Sequence, residues 1–211
     1  DARHNLVQII DPSGRTPARQ EYDESGRLVA MVYGDGTRVE MDSDTAARVE
    51  IVRDRVGGVE IMEYDLQGNV TRKTDKNGQR WTYGYDAQGR KISETDPDGG
   101  TMFIAYDAAG HQSRVTDTLG QVTRFEYNAE NNLVRQTEPG GAVTSYTYDA
   151  RGNRLTETDP DGNVTRFTYD AKGLLLSKTD ALNRTWTYTY DAFGNKLTET
   201  EPSGRQQTFT Y

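Results

Sequence analysis

The 211-residue chain has no cysteine and only two histidines, so it has no disulfide framework and no thiolate chemistry. It is short of apolar residues: 33% of the chain is hydrophobic, where soluble domains usually carry about 45–50%. Mean hydropathy is −0.88, and a thick aliphatic core is excluded. No apolar run approaches the ~20 residues that a membrane span needs. Positive charge is in deficit, with a net charge of −8 and a pI near 4.9, which disfavours nucleic acid and anionic membrane surfaces as partners. The start carries neither an initiator methionine nor a signal-peptide pattern. A Gly-rich phosphate loop, a metal-ligand cluster and a nucleophile–base pairing are all missing, so no cofactor is implied.

What the chain does have is period. Tyr64, Tyr85, Tyr106, Tyr127, Tyr148, Tyr169, Tyr190 and Tyr211 follow one another at 21-residue intervals. Tyr22 lies two periods before Tyr64, and Ser43 fills the slot between them in a Ser-Asp-Thr-Ala-Ala-Arg-Val remnant. The only two tryptophans, Trp81 and Trp186, share the same register five periods apart. A fixed period of this length marks a repeat architecture, not a single packed globule.

Each repeat contains two turn phrases. After the tyrosine comes Asp-x-x-Gly, as in Asp86…Gly89, Asp149…Gly152 and Asp191…Gly194. About ten residues later the phrase returns, as in Asp96…Gly99 and Asp159…Gly162, with Glu opening it at Glu138…Gly141 and Glu201…Gly204. Asp first and Gly fourth suit a type I turn followed by a left-handed residue, the three-residue hairpin loop with a G1 bulge. Asn131 and Asn183 take the glycine slot in two turns, and asparagine is the next most tolerant residue there. His4 and Ala47 occupy it less comfortably in the irregular early part. Five of the six prolines (Pro12, Pro97, Pro139, Pro160 and Pro202) stand at the second turn position, where their fixed φ is already correct.

Between the turns run segments of alternating character, such as Val164-Thr165-Arg166-Phe167-Thr168-Tyr169. Phe125/Tyr127, Tyr146/Tyr148, Phe167/Tyr169, Tyr188/Tyr190 and Phe209/Tyr211 put aromatics on one face, as in a strand wet on its other side. The returning segment carries Leu155, Leu176 or Leu197 and ends in threonine seven times running, from Thr74 to Thr200. No segment shows a 3.6-residue apolar period. The fold class read from this is all-β, an array of antiparallel β-hairpins with about two strands per repeat. About twenty strands at ~4.8 Å spacing would make a flat sheet roughly 95 Å wide, and twisted open sheets rarely exceed ~10 strands without curling. With too few aliphatics for a second layer, the expectation is a spiralling single-layer sheet. Its cohesion is assigned to backbone ladders and cross-strand stacking of like residues.

Residues 1–63 read as degenerate repeats and 64–211 as regular ones, in one continuous array. The first repeat is one residue longer from Asp11 to Tyr22 than its counterpart from Asp75 to Tyr85. The chain opens at Asp1-Ala2-Arg3, inside a turn phrase, and closes on Tyr211, so a longer parent array is expected. The positions that define the repeat are Tyr64, Tyr85, Tyr106, Tyr127, Tyr148, Tyr169 and Tyr190 together with Gly89, Gly99, Gly152, Gly162 and Gly194.

Tyr-Asp-Ala-x-Gly-Asn/Arg-x-Leu at this period, clearest at Tyr85–Ile92, Tyr148–Leu155 and Tyr190–Leu197, resembles the YD repeat of the Rhs family. That family includes bacterial Rhs polymorphic toxins, often delivered by type VI secretion, shell components of insecticidal Tc toxins, wall-associated proteins and teneurins. The resemblance implies a β-hairpin spiral closing into a hollow shell, and in the bacterial members a shell that encloses a C-terminal toxin. The implied partners are the rest of that shell, its enclosed toxin domain, and a secretion-system spike or toxin-complex subunit. The implied location is secreted, at the cell surface or injected.

Enzymatic readings find little to use. His4 and His111 fall in turns and read as plain surface residues. The aspartates already serve turns, and no pair departs from the repeat grammar as a glycosidase pair would. Asp96-Pro97-Asp98-Gly99 lacks the glycine and glutamate spacing of an EF-hand loop. The alternative to a structural wall is an adhesion module, in which Trp81, Trp186 and neighbouring tyrosines stack on glycans.

Overall fold

The computed structural model describes residues 6, 8–10, 12–14 and 16–211. The turn slots read at His4 and Asp11, and the opening Asp1-Ala2-Arg3, lie outside the described residues. The rest is β-strand and turn, without a helix. Two compact units divide the chain, residues 1–103 and 104–211.

The first unit carries β1 (Gln8–Ile9), β2 (Ala18–Tyr22), β3 (Leu28–Tyr33), β4 (Arg38–Asp44), β5 (Val49–Arg53), β6 (Val59–Tyr64), β7 (Val70–Thr74), β8 (Arg80–Tyr85) and β9 (Lys91–Thr95). The division falls in β10 (Thr101–Tyr106). The second unit continues with β11 (Gln112–Thr116), β12 (Val122–Tyr127), β13 (Leu133–Thr137), β14 (Val143–Tyr148), β15 (Arg154–Thr158), β16 (Val164–Tyr169), β17 (Leu175–Thr179), β18 (Thr185–Tyr190), β19 (Lys196–Thr200) and β20 (Gln206–Thr208).

In each unit, strands pair antiparallel with their chain neighbours, as β14 does with β13 and β15. Strand-to-strand contacts run only between consecutive strands among the described residues, so neither unit has a second sheet packed on the first. Burial is correspondingly thin. Only Ala30, Ile104 and Phe167 are buried apolar residues among the described residues, and no polar or charged residue among them is buried. Stability therefore rests on the ladders and on what the side chains do across them.

The turns explain why this sequence makes hairpins. Asp149 N–H donates to the Asn153 carbonyl at 2.9 Å and Gly152 N–H to the Asp149 carbonyl at 3.1 Å, with Gly152 at φ 85°. That is a type I turn closed by a left-handed residue. Asn131 and Asn183 take φ of 66° and 60° in the same role. Gly140 departs from the pattern: it and Gly141 both have positive φ, because Pro139-Gly140 suits the centre of a type II turn.

Ala47 does not take the left-handed position expected of it. Arg48 does, at φ 56°, and β4 and β5 stay in register to Asp44↔Val49. A methyl side chain gains nothing in that conformation, and the loop lengthens by one residue instead. The same hairpin lacks a feature shared by the hairpins of Tyr22, Tyr64, Tyr85, Tyr127, Tyr148, Tyr169 and Tyr190. In those, the register slips between the tyrosine and the residue before it, as at Thr147/Tyr148 and Thr168/Tyr169. Where Ser43 replaces tyrosine, no bulge forms.

Candidate functional site

The feature that recurs is the repeat module itself, and three devices build it. The first is the aspartate of each turn. Asp149 Oδ1 accepts the backbone N–H groups of Arg151 and Asn153, both at 2.9 Å, and Oδ2 accepts Asn153 Nδ2 at 2.8 Å. Asn163 closes on Asp159, Asn195 on Asp191 and Arg184 on Asp180 in the same way. His111 belongs to this set: Nδ1 lies 3.1 Å from Asp107 Oδ2, and the ring stacks on Tyr127 at 4.6 Å between centroids. It is half-buried and bonded rather than the plain surface residue expected.

These bonds hold the Asp149 and Asp159 carboxyls below the ordinary value of 3.8, through the side-chain amides of Asn153 and Asn163 first and their backbone N–H groups next. A depressed folded pKa stabilises the fold fully above the unfolded value and is lost as pH falls through the folded one. Urea midpoints should therefore be flat from about pH 8 to about pH 5 and drop below about pH 4. Asp149→Asn with Asp159→Asn should shrink that drop. An acid limb unchanged in the double variant would count against the assignment.

The second device is the tyrosine hydroxyl. Tyr148 donates to the Leu133 carbonyl at 2.8 Å, Tyr169 to Arg154 at 2.9 Å, Tyr190 to Leu175 at 3.0 Å and Tyr85 to Val70 at 2.8 Å. The accepting residue is always the one that sits opposite the preceding tyrosine, as Leu133 sits opposite Tyr127 and Arg154 opposite Tyr148. Each tyrosine thus ties its own repeat to the bulged hairpin before it. Tyr64 is diverted, because the repeat before it lacks both tyrosine and bulge. Its hydroxyl goes to Glu50 Oε2 at 2.6 Å, and burial, with that carboxylate second, pushes its pKa up to about 12.

The third device narrows the expected cross-strand stacking of like residues: threonines pair with threonines, but the rings below pair with cations. Arg154 reaches the rings of both Tyr146 and Phe167, at 5.7 and 4.7 Å from their centroids. Lys196 does the same for Tyr188 and Phe209, at 5.8 and 4.6 Å. Carboxylates hold the cations in place, Glu157 for Arg154 at 3.0 Å and Glu199 for Lys196 at 2.7 Å. Aromatic faces attract cations, so the ladder alternates ring and charge instead of ring and ring. The other face of the second unit is polar, with hydroxyl pairs Thr147–Thr156, Thr168–Ser177 and Thr189–Thr198 at 2.6–2.7 Å.

The structure places Tyr64, Tyr85, Tyr106, Tyr127, Tyr148, Tyr169 and Tyr190 each at the end of a strand. Gly89, Gly99, Gly152, Gly162 and Gly194 all take positive φ. Asp96 Oδ1 is occupied by the N–H groups of Asp98 and Gly100, at 3.0 and 2.8 Å. Among the described residues no group of three His, Cys, Asp or Glu side chains is placed to hold a metal ion. What the sequence reading missed is the receiving end of each tyrosine bond. The 15-residue step from hydroxyl to carbonyl at Tyr85, Tyr148, Tyr169 and Tyr190 was present in the numbering, but a backbone carbonyl has no letter.

The RHS Repeat family model matches residues 1–38, 64–101, 106–143, 127–164, 148–176 and 169–206, which together span most of the chain. No curated protein matches the chain in sequence. Similar solved structures include a TcdB2-TccC3-TEV crystal structure at 13% identity and TM-score 0.42, covering 95% of this chain and 16% of that one. A mutant Tc holotoxin pore of Photorhabdus luminescens aligns at 15% identity and TM-score 0.36, over 92% of this chain and 16% of that one. A porin-like protein from Bacteroides uniformis aligns at 12% and 0.34, over 95% and 86%. The chain spans about a sixth of the length of the toxin structures it matches. With TM-scores under 0.5, these likenesses do not bear on function.

Proposed function

The chain belongs to the RHS repeat family, and from that premise we propose that it is a stretch of the wall of a shell enclosing another polypeptide. The observation that carries the reading is the single layer. Within each unit the strands touch only their chain neighbours, so both faces of the sheet are free, and a wall needs two free faces. Thin burial is no defect in such a structure, because rings, cations and turn carboxylates tie strand to strand.

The enclosed polypeptide is read as a C-terminal toxin domain, and the whole as a secreted or injected bacterial toxin. The regular repeats from 64 to 211, with the degenerate ones before them, form one array in this reading. Tyr64, Tyr85, Tyr106, Tyr127, Tyr148, Tyr169 and Tyr190 link successive hairpins, and Gly89, Gly99, Gly152, Gly162 and Gly194 close turns. The wall is read as non-catalytic: its histidine and aspartates serve hairpins.

The test is a version of the chain extended to its native C-terminus. Limited proteolysis should leave the terminal domain intact, and expression in a sensitive host should be tolerated. Digestion of that domain as fast as of the same domain expressed alone would overturn the proposal.

A further inference from the structure

The two tryptophans occupy equivalent places five repeats apart, yet their surroundings differ in two positions that matter. At Trp186, Lys178 sits opposite on the neighbouring strand and lies over the indole, 5.6 Å from its centroid. At Trp81 the equivalent lysine, Lys73, is also directly opposite. Glu60 draws it aside into an ion pair at 2.9 Å. The residue equivalent to Glu60 near Trp186 is Thr165, which has no charge to do this.

The second difference is at the adjoining turn. Asp180 has its outer oxygen covered by Arg184 Nε at 2.7 Å. In the Trp81 copy Gln79 stands where Arg184 does. Asp75 Oδ1 accepts the N–H groups of Asn77 and Gln79, while Oδ2 has only Asn77 Nδ2, at a long 3.5 Å. What the copies share is kept: Lys91 pairs with Glu94 at 2.6 Å near Tyr83, as Lys196 pairs with Glu199 at 2.7 Å near Tyr188.

Trp81 and Asp75 both line one groove, of about 570 Å³. Four carboxylates and two lysines line it, so its balance is negative. Throughout the array the chain's own lysines and arginines fill the faces of aromatic rings. We propose that the Trp81 groove takes the same group from another molecule: an arginine or lysine side chain of a polypeptide partner, stacked on Trp81 and paired with Asp75. Aromatic face and carboxylate together are what a guanidinium recognises. Trp186, already covered by Lys178, is not such a site. The inference stands apart from the wall reading, since it rests on the ring, the carboxylate and the negative balance of the groove alone.

The test uses the full chain carrying Trp186→Phe, which leaves Trp81 as the only indole. The probe is an acetylated, amidated glycine–arginine–glycine peptide, compared with the same peptide carrying neutral citrulline. Trp81 emission should change saturably with the arginine peptide, and the citrulline peptide should bind at least tenfold more weakly. Glu60→Thr should release Lys73 to cover the ring, and Asp75→Asn should remove the counter-charge. Each should weaken binding at least threefold with an unchanged far-UV spectrum. Equal binding of the citrulline peptide, or indifference to both variants, would overturn the proposal. So would saturation by chitotriose with the arginine peptide silent, and that outcome would assign the groove to a glycan.

Discussion

Gly152→Pro combined with Gly173→Pro should break the second unit open. Both glycines sit at φ 85°, and proline is fixed near −65°. Both also donate the N–H that closes the turn, to the Asp149 and Asp170 carbonyls at 3.1 Å, and proline has no such hydrogen. The residue before a proline is pushed out of the helical region that the third turn residue needs. Each substitution should cost about 3 kcal/mol or more, and the two fall in successive repeats, on the β14–β15 and β16–β17 hairpins. In an array whose stability is a sum of neighbour terms, two adjacent failures leave little to bridge them. Far-UV spectra and urea melts should show a large loss of strand signal in residues 104–211. In the version extended to the native C-terminus, the terminal domain should become protease-sensitive and the protein toxic. A double variant with wild-type melting would refute the turn geometry, and one that melts early yet keeps its terminal domain protected would refute the wall.

Gly162→Val should cost more than ~1 kcal/mol, while Asn183→Gly should be neutral or mildly stabilising. The Gly162 contrast is clean because a Cβ added there meets nothing within 4 Å. No clash contributes, and the whole cost is that of holding a β-branched residue at φ 82°. Asn183 already stands at φ 60°, a conformation that glycine adopts without strain. Urea midpoints of the two variants against wild type decide the matter, and equal midpoints for all three would show that the left-handed slot does not limit stability.

Much of this architecture was legible because its signals are local. An Asp-x-x-Gly phrase encodes a turn within four residues, so Gly89, Gly99 and Gly162 and the substitutes Asn131 and Asn183 could be placed from letters alone. Strand ends at tyrosine and threonine followed from the same phrases. Ala47 misled because a single letter in the slot does not say whether the loop will keep its length. The register slip beside each tyrosine was hidden for a different reason. A bulge depends on two strands together, and neither strand's pattern carries it. Cross-strand pairing of like residues holds for the threonines but not for the rings around Arg154 and Lys196, because alternation marks which residues share a face and not what comes between them. The groove at Trp81 was the least legible, since it depends on Glu60 and Gln79 departing from Thr165 and Arg184 five repeats on.

The tyrosine bond also has a direction. Tyr85, Tyr127, Tyr148, Tyr169 and Tyr190 reach back 15 residues, as from Tyr148 to Leu133 and from Tyr169 to Arg154. Tyr22 and Tyr64 reach back 16 and 14, and none of these reaches forward. A hairpin is therefore sealed only when the next tyrosine arrives. All its other contacts lie with its immediate neighbours, so sequence separations stay short and closure is fast. A chain emerging N-terminus first, from a ribosome or from a narrow conduit, can fix each repeat as soon as about one more has followed. Assembly then runs like a ratchet, one tooth per tyrosine, and no distant segment has to be awaited.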